Sequence, residues 1–285
     1  MIGAILGDIV GSRFEFQPIK SKNFLLFSEE SDYTDDSLMT IAVGLALKQA
    51  FADKKEKDEA FLQDQFIRTM QSIGRSYPNP TGAYGGSFSQ WLVTKNPEPY
   101  NSWGNGSAMR ASACGELAES LEQALFFAEQ SALVSHNHPE GIKGAQATAA
   151  AIFLAKRGKS KEEIRHYIYQ HFYPERLTVE EIRPHYAFDP SCQGTVPQAF
   201  AAFFDSIDFE DAIRNAISLG GDADTLGAIT GSVAWPFYLK QNGLSEAMKE
   251  MVSHALHILP SEFRAFLKEY EDDFIQTLCF CGRRE

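Results

Sequence analysis

The sequence predicts an all-α protein, folded as one compact multi-helix domain over residues 1–285. Three observations carry this. Apolar residues recur at helical spacing through most of the chain, no convincing alternating strand is found, and no Gly/Ser linker or internal repeat divides it. With 44% hydrophobic and 22% charged residues, the chain can bury a substantial core.

The elements follow in order. The segment Gly7-Asp8-Ile9-Val10-Gly11-Ser12 reads as a helix whose glycines let it pack closely against a neighbour, with Glu15 emerging at its end. Residues 35–50 place Leu38, Ile41, Ala42, Leu45 and Ala46 on one stripe. The charged run at 53–59 is a solvated loop leading into a helix over 59–73. Further helices are expected over 107–119, 121–134, 139–157, 160–172, 194–205, 208–219, 224–240, 245–257 and 261–278, with Pro236 interrupting the 224–240 helix. The apolar run at 24–27 is short and reads as a loop packed on the core. Segments 13–33, 74–106 and 173–193 are helix-poor and rich in Pro, Gly and aromatics. Loops of that length tend to carry function, and they are expected on one face.

Charge narrows the function. Lys and Arg number 26 against 38 Asp and Glu, a formal charge of −12. Such a surface repels phosphate backbones, which excludes general nucleic-acid or anionic-membrane binding. It also leaves carboxylates free to hold cations. No apolar stretch reaches the ~20 residues that span a bilayer. The apolar N-terminus is broken by Asp8 and lacks a basic region, so no secretory signal is read there. A cytoplasmic monomer is the expectation. The four cysteines are too scattered for a disulfide framework, and Cys279 and Cys281, beside Arg283 and Arg284, read as a reduced thiol pair rather than a zinc site.

Two acidic motifs stand at helix starts. Thr34-Asp35-Asp36 opens the 35–50 helix, and Gly220-Gly221-Asp222-Ala223-Asp224-Thr225 opens the 224–240 helix. Capping accounts for one side-chain oxygen at each place, because Asp and Thr are good N-caps. Each motif supplies three. The glycines ahead of Asp222 permit a tight turn that brings Asp222, Asp224 and Thr225 within reach of one point. Two carboxylates ~4 Å apart repel by about 4 kcal/mol at an effective dielectric of ~20. Four converging ones would need cations among them, and hard oxygen donors suit Mg²⁺, Mn²⁺ or Ca²⁺ rather than zinc. Glu15 is read either as a third contributor or as a surface glutamate.

The glycine loops 82–88 and 101–110 are read as either phosphate sites or ordinary turns with aromatic anchors. Gly104-Asn105-Gly106 is expected to turn through left-handed residues, and Trp103 and Tyr84 are available to stack on a base or line a sugar pocket. Neither loop is followed by Gly-Lys-Ser/Thr or preceded by a strand, so nucleotide loops of those types are excluded. His136 and His138 in Ser135–Gly141 fit capping or hydrogen bonding better than metal binding. No Gly-x-Ser-x-Gly elbow supports a serine hydrolase.

Taken in order, GDIVGSRFE at 7–15, TDD at 34–36, YGGSF at 84–88, SWGNGSAMR at 102–110, SHNHPEG at 135–141 and GGDADT at 220–225 resemble the ADP-ribosylglycohydrolase family. The resemblance implies an all-α fold with two divalent cations, Mg²⁺ or Mn²⁺, in a central cleft. By motif position, Thr34, Asp35 and Asp36 would hold one ion, and Asp222 and Thr225 the other, with Asp224 bridging. Glu15 or Asp36 would be the catalytic base. Gly85, Gly86, Ser87, Ser102, Trp103, Gly104, Asn105 and Gly106 would line the ADP-ribose diphosphate and distal ribose, with His136 near the site. The implied reaction is hydrolysis of the bond between ADP-ribose and a modified target, with ADP-ribosyl-arginine on protein first and another ADP-ribose derivative or a binding role as alternatives. Ala223, Trp103 and Ser107 stand where Ser, Tyr and Gly are common in the family.

Overall fold

The computed structural model describes residues 1–174 and 177–280, with side chains as far as Asp272. The thiol pair expected at Cys279 and Cys281 lies outside the described side chains. Helices account for all the regular structure among the described residues, and the only β pairings there are isolated bridges.

The chain opens with α1 (Ile2–Gly11), then a 3₁₀ turn at Ser12–Phe14. Next come α2 (Asp35–Ala52), α3 (Glu59–Ser76), α4 (Gly86–Val93), α5 (Gly106–Met109) and α6 (Ser112–Leu117). The middle holds α7 (Leu121–Leu133), α8 (Pro139–Lys156), α9 (Lys161–His171), α10 (Val179–Ile182) and α11 (Cys192–Phe204). The last are α12 (Phe209–Ser218), α13 (Ala223–Asn242), α14 (Glu246–Ile258) and α15 (Ser261–Phe280).

Local chemistry starts most of these helices. Ser120, Ser160, Asp208 and Ser245 each accept a backbone N–H in the first turn of the helix that follows. At α9 the capping box is complete, with Glu163 returning a bond to Ser160. The 24–27 run forms no strand: Phe24, Leu26 and Phe27 pack on the core while Leu25 faces solvent.

Three expectations are corrected. The helix expected over 107–119 is broken at Arg110 into α5 and α6, because that residue turns inward, fully buried, to donate to Ser131 O and Ser135 Oγ. Segments expected to be helix-poor contain α4 and α10. α4 buries Phe88, Trp91 and Leu92 at helical spacing, and α10 is set by the capping box of Thr178 and Glu181. Pro236 does not interrupt α13, which runs on to Asn242. Its loss of one hydrogen bond is offset by burial, since every residue from Ala223 to Leu239 is buried.

The crossing of α1 and α13 positions the site. Gly3, Gly7 and Gly11 repeat every fourth residue, so they form one face of α1. They meet Gly231, Gly227 and Ala223 on α13. A Cβ on Gly7 would lie 1.9 Å from Gly227 O, and one on Gly3 would lie 2.3 Å from Gly231 O. Only backbones lacking Cβ approach so closely, and that approach carries Asp8 of α1 to the start of α13. Gly7→Ala is therefore expected to cost about 3 kcal/mol or more of unfolding free energy. Gly85→Ala, whose Cβ would meet nothing within 4 Å, should change it by less than about 0.5 kcal/mol. Urea denaturation compares the two, and equal small effects would contradict the tight crossing.

Candidate metal centre and ligand cleft

Four carboxylates from three separate places meet beneath the crossing, and a fifth reaches them from the turn after α1. Oxygens of Asp8, Asp36 and Asp224 lie within 4.8 Å of one another, and so do oxygens of Glu15, Asp222 and Asp224. Asp224 belongs to both groups. Asp35 stands outside both but lines the same cleft, close enough to be repelled by Asp8, Asp222 and Glu15. Thr225 lines the cleft beside them, and its hydroxyl partly offsets the rise of the Asp36 and Asp222 carboxyls.

Capping explains part of this arrangement and leaves the rest. Thr34 is the N-cap of α2, its hydroxyl accepting from Asp36 N at 3.1 Å and donating to Asp8 Oδ1 at 2.7 Å. Asp222 stands at the N-cap position of α13, yet its side chain caps nothing. Gly220 and Gly221, at φ +71° and +74°, make the tight turn before it. The carboxylates of Asp222 and Asp224 are therefore directed to the cluster rather than to their own helix.

Asp8 is the member that sequence reasoning missed. It is fully buried and accepts from the backbone N–H of Thr34 and Ser37, each at 3.0 Å, and from both their hydroxyls. Even so, burial pushes its carboxyl up to about 6. Burial, reinforced by Asp222 and Asp8, pushes Glu15 up to about 8. Asp35, Asp36 and Asp224 are raised well above the usual carboxylate range by burial first and then by neighbouring carboxylates of the cluster.

The donor set fits a divalent cation. Glu15 Oε2, Asp36 Oδ2 and Asp224 Oδ1 are buried without a hydrogen-bond partner. Buried acceptors left this way are satisfied by a proton or a cation, and all of these are hard oxygens.

The cluster forms one wall of a cleft of about 370 Å³. Gly85, Gly86 and Ser87 line it as well, where α4 begins without a side-chain cap. Ser102, Gly104, Asn105, Gly106 and His136 also line it, with Met109 and Arg110 from the end of the same 102–110 motif and with Tyr100, Phe188 and Pro190, which carried no sequence signal. Thr34 lies buried beneath the lining, and Trp103 lies outside it, 51% exposed. Tyr84 is buried, donating to Tyr77 O at 2.9 Å and packing against Phe88.

The Gly104–Gly106 segment does not turn through left-handed residues. Asn105 has φ −69°, and the positive φ falls instead at Asn101, Gly82 and Ala83. Gly106 is small for a different reason: a Cβ there would lie 3.1 Å from His136 Nε2. Arg110 donates to Ser135 Oγ at 2.9 Å, and Ser135 Oγ lies 2.8 Å from His136 Nδ1. Burial and the Arg110 charge hold His136 well below its usual range, so it is neutral.

A helical protein whose cleft is lined by a buried acidic cluster and glycine loops has the hard-oxygen donors to hold divalent cations. Comparison is more specific: residues 1–235 match the family model ADP-ribosylglycohydrolase, and the chain belongs to that family. It is 24% identical to an ADP-ribosylarginine hydrolase Tri1 of Pseudomonas putida, over all of this chain and 81% of the relative. It is 26% identical to the ADP-ribosylhydrolase ARH3 of Homo sapiens, over 84% of each. A solved ADP-ribosylglycohydrolase-related protein complex superposes with TM-score 0.62 at 21% identity, covering 97% of this chain and 95% of that one, which shows the shared fold. Family membership supports ADP-ribose hydrolase activity. The α14 and α15 helices lie beyond the matched residues and are tied back where Trp235 Nε1 donates to Glu271 at 2.5 Å.

Proposed function

We propose that this protein is a Mg²⁺- or Mn²⁺-dependent hydrolase of the glycosidic bond between ADP-ribose and a modified target, with ADP-ribosyl-arginine on protein as its substrate. The observation that carries the reading is the meeting of α1, α2 and α13 carboxylates, with unpartnered buried oxygens, in a cleft that glycine loops also line. The relative that aligns over the whole of this chain acts on ADP-ribosylarginine, and that supports the choice of linkage.

Asp8, Asp36 and Asp224 would hold one cation, and Glu15, Asp222 and Asp224 the other, with Asp35, Thr34 and Thr225 around them. The bound ions supply positive charge for ribose hydroxyls and for a water at neutral pH. The uncapped N-terminus of α4 at Gly85, Gly86 and Ser87 offers backbone N–H groups to the diphosphate. His136, held neutral, supplies a hydrogen bond at the loop formed by Ser102, Gly104, Asn105 and Gly106, while Trp103 flanks the mouth. Cleavage at the anomeric carbon develops oxocarbenium-like charge, which the acidic wall stabilises.

Glu15 is the better placed general base of the two considered. It is half-buried on the cleft wall, whereas Asp36 is 2% exposed and held between Asp8 and Asp224. Glu15 would take the proton of the attacking water.

The test is release of ADP-ribose from proteins modified separately on arginine and on serine, with and without EDTA. Cation-dependent release from the arginine conjugate alone is expected. Release from the serine conjugate alone would overturn the linkage. Release unaffected by EDTA would overturn the cations. No release from either, with ADP-ribose still binding by calorimetry, would leave a binding protein.

A further inference from the structure

Asn105 does something other than face a ligand, and the argument rests on the cation reading above. Its side chain crosses from the glycine loop to the acidic cluster, 8% exposed. Nδ2 lies 2.7 Å from Asp222 Oδ2 and 3.0 Å from Thr195 Oγ1. Thr195 spends its own proton on Asp189 O at 2.8 Å, so it meets Asn105 as an acceptor. A carboxylate is also an acceptor. With two acceptors on one side, the amide must turn its nitrogen toward them, and both N–H bonds are then used.

The backbone holds this orientation. Asn105 N donates to Pro190 O at 2.8 Å, and Cys192 N donates to Trp103 O at 2.9 Å, with Gly104 paired to Ser191. The loop is thus clamped to the segment that carries Thr195, which fixes the point from which the Asn105 side chain reaches Asp222. Asp222, for its part, has no bond from its own side chain to the backbone of α13. Its orientation has to come from elsewhere.

We propose that Asn105 is a positioning residue for Asp222, occupying one carboxylate oxygen so that the other is presented to a cation shared with Glu15 and Asp224. The amide is then a support of the metal centre built into the ligand loop rather than a donor to ADP-ribose. Loss of such a support weakens cation affinity by about 10- to 100-fold.

Mn²⁺ alone is the probe. Free Mn²⁺ is counted by electron paramagnetic resonance against the nucleotide-free protein, for wild type, Asn105→Ala and, as a control at an exposed position outside the cleft, Ile207→Ala. The proposal expects Asn105→Ala to bind Mn²⁺ at least about 10-fold more weakly than wild type. Ile207→Ala should bind it unchanged. Melting of the metal-free Asn105→Ala protein within ~2 °C of wild type separates positioning from loss of structure. Should Asn105→Ala fail to fold, Asn105→Ser, whose hydroxyl is too short to span the gap to Asp222, carries the same comparison. Unchanged Mn²⁺ affinity with ADP-ribose binding lost would overturn the proposal and return the amide to the nucleotide. A wild-type protein that takes up no Mn²⁺ would overturn the cation reading itself, a distinct result.

Discussion

Asp36→Asn is expected to lower kcat by about 10³-fold or more, roughly 4 kcal/mol of barrier, in a protein that still folds. The residue sits at the second position of α2, where Thr34 already supplies the cap, so the helix does not need its carboxylate. Its Oδ2 is buried and unpartnered, and Asp8 and Asp224 lie on either hand. An amide keeps the volume and removes the charge. The cluster then repels itself less when empty, and it attracts a cation less. The metal-free variant should melt at or above the wild-type temperature, and the rise in melting temperature on adding Mn²⁺ should shrink. A folded variant with full turnover would sink the assignment. An inactive variant with an undiminished Mn²⁺ response would move Asp36 from holding a cation to the chemistry itself.

What the sequence showed of this site, and what it hid, follows from the range of the interactions. The motifs at Thr34–Asp36 and Gly220–Thr225 were legible because each places more oxygens at a helix start than capping can use, a local surplus visible without coordinates. Their convergence depends on α1 crossing α13, a contact between the two far parts of the chain. The evidence for that crossing was present as glycines at 3, 7 and 11 and again at 227 and 231, both spaced by four. Reading the two stripes together would have placed Asp8 at the junction. Read alone, Asp8 was only an acid interrupting an apolar run.

The loops misled for a different reason. Glycine at 104 and 106 suggested conformational freedom, whereas the structure uses the missing side chain: His136 fills the space a Cβ at Gly106 would enter. Trp103 carried the aromatic expectation of the loop yet points to the surface, while Phe188, from a segment with no motif, lines the cleft. Arg110 shows the same limit in the fold. A residue that ends α5 by turning into the core gives no sign in a helical pattern, because its partners, Ser131 and Ser135, belong to another helix and the turn after it.

Stability of the metal-free protein is expected to fall with rising pH, and divalent cations should remove that fall. A carboxyl raised in the folded state contributes stability that is fully present below its unfolded value and lost as pH rises through its folded one. For Asp8 that window runs from 3.8 to about 6, and for Glu15 from 4.5 to about 8. Asp35, Asp36 and Asp224 are raised further and act in the same direction. Opposing groups titrate elsewhere. The capping glutamate Glu163, lowered to about 2, loses its contribution only as pH falls below 4.5. His136, held low, works against acid stability below 6.5. Lys161, lowered to about 8 by burial, relieves its own cost only above that pH. Glu271, outside the cluster and raised to about 7, adds to the fall only up to that pH, so the cluster dominates between about pH 7 and 8, where melting in EDTA should drop by about 5 °C or more. In saturating Mn²⁺ the same interval should be flat or rising, because the cation competes with protons for the oxygens and binds better as they leave. Melting curves in the two buffers decide it. A melting temperature in EDTA that is level or rising over that interval would mean that the carboxylates do not repel one another as their positions require, and the site would have to be reread as a hydrogen-bonded acidic network rather than one built around cations.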